Sequence, residues 1–200
     1  YREQIVLDQR AVVAAPAGTS HVEACTLPMN GLTARLSLNN LGLKPGQTLA
    51  VTGGPGAYGG YIIQLAKTEG LIVISDAAPK DEALLTQLGA DIIIPRSDDF
   101  PGAVRQHFPD GVDGLADGAL LNEKAIPAVK DGGAFTSIRG FKADDDVRGI
   151  KFTQTWVRTY DCEYEKLNQL RQLTNSGKLT LRVAGMVAPK DAAMAHAALE

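Results

Sequence analysis

The sequence predicts a doubly wound α/β fold on a parallel sheet of six strands. Short β-branched or aliphatic runs alternate with helical patterns through the middle of the chain, the signature of βαβ crossovers. One run, Leu71-Ile72-Val73-Ile74, is continuously apolar, as a strand buried on both faces must be. A glycine-rich stretch, 53–60, falls between the first run and the first helical pattern.

Leu49 to Thr52 reads as the first strand and Tyr58 to Glu69 as a helix, with Ile62, Leu65 and Ala66 at i, i+3, i+4. Leu71 to Ile74 is the second strand. A helix from Pro79 to Leu88 follows, opened by proline and closed by Gly89. Ile92 to Ile94 is the third strand, stopped by Pro95. A helix over Ala103 to Phe108 leads to a fourth strand, Val112 to Ala116. Gly114 and Gly118 should leave that strand loose. Asn122 to Val129 reads as a short helix, Ala134 to Ile138 as the fifth strand and Lys151 to Val157 as the sixth.

The flanks differ. Gln4 to Leu7 is a strand candidate, followed by turn chemistry at Ala15-Pro16-Ala17-Gly18. Ser20 and Glu23 have capping-box spacing and should open a helix. Helical patterns follow over Gly31 to Leu41, ended by Gly42, and over Asp161 to Ser176, stopped by Gly177. A last helix starts at Lys190.

Composition excludes several classes. The chain has 200 residues, 44% hydrophobic and 22% charged, as in an ordinary globular protein. A net charge of −3 gives no basic footprint, so nucleic acid is not an expected partner. Cys25 and Cys162, the only two cysteines, make no disulfide framework and fit a reducing compartment. No apolar run approaches the roughly 20 residues of a membrane span, and no signal-peptide pattern opens the chain. A cytoplasmic protein with no membrane partner is therefore expected.

The strongest motif is Thr52-Gly53-Gly54-Pro55-Gly56-Ala57-Tyr58-Gly59-Gly60. Gly54, Gly56 and Gly59 fit G-x-G-x-x-G between a strand and a helix, the context that gives the pattern meaning. In that pattern Gly54 serves the tight turn, Gly56 admits a pyrophosphate to the backbone, and Gly59 lets helix and strand pack closely. The helix N-terminus, with Ala57 and Tyr58 in its first turn, then faces the phosphates. Tyr58 either leans over the cofactor or packs inward, and Pro55 stiffens the loop. Asp76 ends the second strand about 20 residues on, where an acid accepts from ribose hydroxyls. A carboxylate there repels a 2′-phosphate and argues for NAD. Lys80 and Arg96, just after strand ends, are placed to hold that phosphate and argue for NADP, although Lys80 also reads as a solvated charge.

Several blocks resemble one family. Leu27-Pro28-Met29-Asn30-Gly31-Leu32-Thr33-Ala34, Gly42-Leu43-Lys44-Pro45-Gly46-Gln47, the glycine loop and Gln64-Leu65-Ala66-Lys67 are similar to the medium-chain dehydrogenase/reductase superfamily. Leu88-Gly89-Ala90-Asp91, Asp131-Gly132-Gly133-Ala134-Phe135 and Gly177-Lys178-Leu179 also fit. Within the superfamily the chain most resembles the zinc-independent quinone oxidoreductase branch. The resemblance implies a Rossmann-type NAD(P)-binding domain over 29–176, with small flanking pieces of a GroES-like catalytic domain: a remnant at 1–28 and the start of a return at 177–200. It implies that Asn30 and Thr33 lie at the cofactor cleft, Asn30 near the nicotinamide, with Ser137 and Arg139 on a further lining loop. Each of these four reads equally as an ordinary turn or cap residue. It also implies a homodimer through the edge of the sixth strand.

The expected function is hydride transfer from NADH or NADPH to a small-molecule acceptor, a quinone, enone or other carbonyl compound, without a metal. Two rivals are a zinc-type alcohol dehydrogenase and a non-catalytic NAD(P)-binding sensor. His21 and Cys25 share a helix face, but two ligands do not make a zinc site, so no metal residue is assigned. No Ser-His-Asp or Cys-His arrangement stands out, and no catalytic residue is assigned. His107 and His196 should face solvent, and Asp144-Asp145-Asp146 should be a solvated loop. With most of the catalytic domain outside it, the chain alone is expected to bind the cofactor and turn over almost nothing.

Overall fold

The computed structural model describes residues 4–198 except 142, 144, 145 and 161, and the side chain of 159 lies outside the description. Seven α-helices appear among the described residues: α1 (His21–Ala24), α2 (Leu27–Leu41), α3 (Ala57–Thr68), α4 (Glu82–Leu88), α5 (Phe100–His107), α6 (Tyr164–Asn175) and α7 (Ala192–Ala197). The strands are β1 (Thr48–Thr52), β2 (Ile72–Ala77), β3 (Ile92–Pro95), β4 (Val112–Asp117), β5 (Val129–Ser137) and β6 (Lys151–Gln154). All are parallel, in the order β3-β2-β1-β4-β5-β6. The fold is the doubly wound α/β sheet that the alternation of elements predicts.

Side chains on successive strand residues point to opposite faces, and the core divides accordingly. Leu49, Val51, Val73, Ala116 and Ala134 face α2, α3, α4 and α6. Ile92, Ile74, Ala50, Leu115, Phe135 and Phe152 form one register row across all six strands. That row lies on the other face, against α5 and the 3-10 helix Asn122–Ala128.

Local chemistry explains the boundaries. Ser20 and Glu23 form the expected capping box of α1, with reciprocal side-chain-to-backbone bonds. Gly42 and Gly89 end α2 and α4 in the left-handed conformation, which costs glycine nothing. Helix α2 starts at Leu27 rather than Gly31, because Pro28 is accommodated in its first turn. Helix α5 starts at Phe100 rather than Ala103, since Asp99 caps it by accepting from Gly102 N at 2.9 Å.

Other expectations are corrected. Gln4 to Leu7 is not a strand: among the described residues no strand pairs with it, and Val6 is 98% exposed. The Asn122 segment is helical as expected, a 3-10 helix over Asn122–Ala128 with Pro127 inside it removing a backbone donor. Strand β5 begins five residues earlier than expected, at Val129, and β6 ends earlier, at Gln154. Strand β4 is not loose. A side chain at Gly114 would meet Leu43 at 2.8 Å, and one at Gly118 would meet the Tyr58 ring at 2.8 Å. These glycines mark close approach, although the β4–β5 register does shift between Val112 and Gly114.

His107 and His196 are exposed, as expected. Asp144 and Asp145 lie outside the described residues, while Asp146 accepts from Gly149 N. Strand β6 closes the sheet at one edge. Among the described residues no helix is long and apolar enough to cross a membrane.

Candidate dinucleotide site

The chain leaves β1 toward β2 and β3 on one side, then returns to place β4 on the other. The order of strands therefore reverses between β1 and β4, and a crevice opens at their carboxyl ends. Thr52, Asp117, Ser137 and Gln154 form a register row at that edge. Val51 pairs with Ser75, which puts Asp76 at the same edge.

The glycine loop leaves β1 here, and its glycines divide the labour differently from the expectation. Gly53, not Gly54, makes the tight turn, at φ +68°. Gly54 and Gly59 are needed for space: a Cβ on Gly54 would overlap the Ser75 hydroxyl, and one on Gly59 would overlap the Gly53 carbonyl. At Gly56 the only atom within 4 Å of a Cβ is Gly53 O, at 3.1 Å. Gly56 is exposed beside the start of α3 and serves as its N-cap, with no side chain capping the first-turn N–H groups. Uncapped donors and the positive end of the helix dipole make an anion cradle. Ala57 is exposed there.

Tyr58 takes the inward alternative. It is buried, and its hydroxyl donates to Ser37 Oγ at 2.8 Å, tying α3 to α2. Burial pushes its phenol well above the ordinary tyrosine value, the Ser37 bond opposes that, and the nearby Asp117 adds to it. Of the two expected placements the inward one is found, with the Tyr58 ring lying against Gly118.

Asp117 fastens the opposite lip, a role the sequence reading missed. Its Oδ1 accepts from Thr52 Oγ1 at 2.6 Å and Leu121 N at 3.1 Å, and its Oδ2 from Asn122 N at 2.8 Å. Ala119 N donates in turn to Thr52 Oγ1 at 3.0 Å. Leu120 and Asn122 are held at φ +59° and +53°, a conformation that costs ordinary residues energy and persists where surroundings fix it. An acid ending a strand just before Gly118 was the available signal.

Asp76 is 7% exposed. It accepts from Gly53 N at 3.3 Å and from Arg96 Nε at 2.8 Å. Lys80 is exposed on the 3-10 turn Pro79–Asp81 that follows β2. The structure therefore brings Gly54, Gly56, Ala57, Gly59, Asp76, Arg96 and Lys80 to one end of β1–β3. Asn30 and Thr33 are half-buried on α2, and Thr33 Oγ1 donates to Met29 O at 2.6 Å. Ser37, the Tyr58 partner, lies one turn further along. Ser137 is fully buried at the end of β5 and accepts from Arg139 N at 3.4 Å, while the Arg139 side chain is exposed.

A cleft of about 360 Å³ adjoins the start of α3, lined by Pro55, Gly56, Ala57, Gly60, Thr180 and Arg182 among others. Arg182 donates to Pro55 O at 2.7 Å. Separated from the loop by 127 positions, it carries no motif from which this contact could be read. Among the described residues no three His, Cys, Asp or Glu side chains gather where they could hold a metal ion.

No protein-family model matches the sequence. The chain is 30% identical over 180 residues to 2-methylene-furan-3-one reductase of Solanum lycopersicum, covering 88% of this chain and 43% of that protein. It is 27% identical over 160 residues to a zinc-type alcohol dehydrogenase-like protein of Staphylococcus epidermidis, covering 74% and 48%. The chain thus spans less than half the length of these two curated relatives. Among solved structures, the apo JamJ enoyl reductase superposes with a TM-score of 0.84 at 23% identity, over 98% of this chain and 64% of that one. A Pseudomonas syringae quinone oxidoreductase gives 0.80 at 23%, over 94% and 63%. A mycobacterial protein in complex with NADPH gives 0.79 at 24%, over 92% and 62%. The chain is homologous to members of the medium-chain dehydrogenase/reductase superfamily.

Proposed function

We propose that the chain carries the cofactor-binding part, over 29–176, of an NAD(P)H-dependent oxidoreductase that reduces a quinone, enone or other carbonyl-type acceptor. The observation that carries this reading is the glycine loop at the β1–β4 crevice. Gly53 is fixed at a left-handed turn, Gly54, Gly59 and Gly60 have their Cβ positions filled by neighbours, and Gly56 is the exposed glycine at an uncapped helix start. That is the shape a pyrophosphate needs. Similarity to a furanone reductase supports the class of acceptor.

The reading assigns roles to the chain's own groups. The first-turn N–H groups of α3 hold the pyrophosphate. Asp76 and its neighbours meet the adenosine ribose. The Asp117-pinned lip closes the crevice beside β4 and fixes where the dinucleotide turns toward its reacting end. The cofactor supplies hydride when bound, and the protein orients it. An acceptor polarised by its carbonyl takes hydride at carbon and a proton from a donor or water, a reaction for which no metal is needed.

Titration with NADH and NADPH, followed by fluorescence or calorimetry, tests the site. Gly56→Val should abolish binding of both; because the added Cβ comes within 3.1 Å of the Gly53 carbonyl oxygen, circular dichroism and urea unfolding establish that the variant is folded before its affinity is read. Undiminished affinity in the folded variant would remove the loop from the site. Metal content of the whole protein, with NAD(P)H oxidation over a quinone and enone panel, separates the proposal from a zinc-type dehydrogenase and from a sensor.

A further inference from the structure

On the reading of the crevice as a dinucleotide site, we propose that a chain of buried hydroxyls, Tyr58–Ser37–Thr155–Thr136, holds the β4–β6 half of the crevice in place, with Tyr58 as the positioning residue of the β4 lip. The Tyr58 hydroxyl donates to Ser37 Oγ at 2.8 Å. Ser37 Oγ lies 2.9 Å from Thr155 Oγ1, which lies 2.9 Å from Thr136 Oγ1. A hydroxyl has one proton to give and two lone pairs, so each can accept from one neighbour and donate to the next. All four side chains are buried. A hydroxyl taken out of water costs free energy unless it is paired, and apolar side chains would fill the same volumes without that demand. A buried network with its members paired fixes the spacing of the elements that it joins.

These elements are α2, α3, β5 and the residue that follows β6. Each hydroxyl stands next to a part of the crevice. Thr136 precedes Ser137 and Thr155 follows Gln154, and Ser137 pairs with Gln154 in the register row at the crevice edge. The Thr155 N–H donates to Ser137 O at 2.9 Å, which ties it to β5 a second time. Ser37 lies one turn along α2 from Thr33. Tyr58 is in the first turn of α3, and a Cβ on Gly118 would come within 2.8 Å of its ring. Gly118 follows Asp117, whose carboxylate pins the lip.

The β1–β3 half of the crevice is set by other means. Gly53 makes its turn, Gly54 and Gly59 seat the loop against Ser75 and β1, and Asp76 is held by Gly53 N and Arg96. On the β4–β6 half the Tyr58 ring packs on the lip, while its hydroxyl, through Ser37 and Thr155, sets how α2 stands against β5 and β6. The chain acts through Gly118 and α2, without touching the dinucleotide itself.

Calorimetric titration with NADH and with adenosine 5′-diphosphate tests this, since the diphosphate reaches only the half made by α3 and Asp76. Tyr58→Phe keeps the ring against Gly118 and removes the hydroxyl. It should weaken NADH about fivefold to tenfold, the worth of one hydrogen bond, and change the affinity for the diphosphate less than about twofold. Thr155→Val leaves Ser37 and Thr136 without their shared partner and should act in the same direction. Thr155→Ser restores the hydroxyl and should return the ratio of the two affinities to its wild-type value. Tyr58→Phe and Thr155→Val combined should lose less than the product of their separate losses, because both break one chain. A chain that only stabilises the fold would lower the urea midpoint of these variants and leave the ratio unmoved. That result, in folded variants, overturns the proposal while the dinucleotide site stands. If neither probe binds the wild-type protein, the dinucleotide reading falls, and this one with it.

Discussion

The two faces of the sheet are filled by different means. One face is covered by α2, α3, α4 and α6, whose leucines, isoleucines and alanines pack on Leu49, Val51 and Val73. The other is covered by the eight-residue α5 and a 3-10 helix. All five phenylalanines of the chain are on that second face: Phe100 and Phe135 in its core, with Phe108, Phe141 and Phe152 against them. Interiors pack at crystal-like density, so a face that short crossovers cannot cover has to be filled by larger side chains. The aromatic residues take the place of helix. The Phe135 ring lies 5.7 Å from that of Phe141 and 5.4 Å from that of Phe152, and Phe141 meets Phe152 edge-on at 6.3 Å.

The most direct way to break this comparison is to remove the central ring. Phe135 is fully buried and sits in the register row between Leu115 and Phe152. Phe135→Ala should cost about 3–5 kcal/mol, read from the urea midpoint at unchanged m-value. A loss under about 1 kcal/mol would mean that the second face collapses to fill the gap and does not depend on its rings.

A smaller effect contrasts the two ends of β4. Asp117 pins the crevice lip, whereas Asp113 ties the opposite end of the strand to the first residue of β1 and to Gln47 before it. It accepts from Thr48 N, Thr48 Oγ1 and Gln47 Nε2, and pairs with Lys130. Burial works to raise its pKa, but the bonds from Lys130, Thr48 and Gln47 outweigh it and hold the carboxyl at about 2. A carboxylate whose folded pKa lies below its unfolded value stabilises above the unfolded value, near 4, and loses that contribution as pH falls toward 2. Allowing for partial exposure, Asp113→Asn should cost about 1–2 kcal/mol at neutral pH. The gap between wild type and variant should close progressively below about pH 4. A gap that stays constant down to pH 2 would show that the loss is steric and not tied to the charge.

The two faces also differ in how legible they were. On the helical face the 3.6-residue period and the glycine stops carried the assignments, and Ile62, Leu65 and Ala66 are buried as their spacing requires. On the aromatic face the crossovers are too short for a period to establish itself. Helix α5 begins three residues before its periodicity does, because Asp99 and Pro101 are capping chemistry, and the short helix Asn122–Ala128, with Pro127 inside it, is 3-10. At the site, local sequence placed the glycine loop and Asp76, but not the division of labour between Gly53 and Gly54. The Asp76–Arg96 pair depends on β3 lying beside β2, and Arg182 on the return of a distant segment. Contacts of that range are set by topology, which spacing along the chain does not encode.

The smallest expected effect separates the sheet from the flanks. Met186 is 76% exposed, in a stretch outside helix and strand after α6. An apolar side chain that already meets water gains nothing from folding, since stabilisation scales with area removed from solvent. Met186→Ser should therefore shift the stability of this chain by no more than about 0.5 kcal/mol, an order of magnitude below the Phe135 variant. If urea unfolding shows a loss above about 1 kcal/mol, that segment is buried in solution by something that packs on it. The contrast between a self-sufficient sheet and its loosely held flank would then need redrawing.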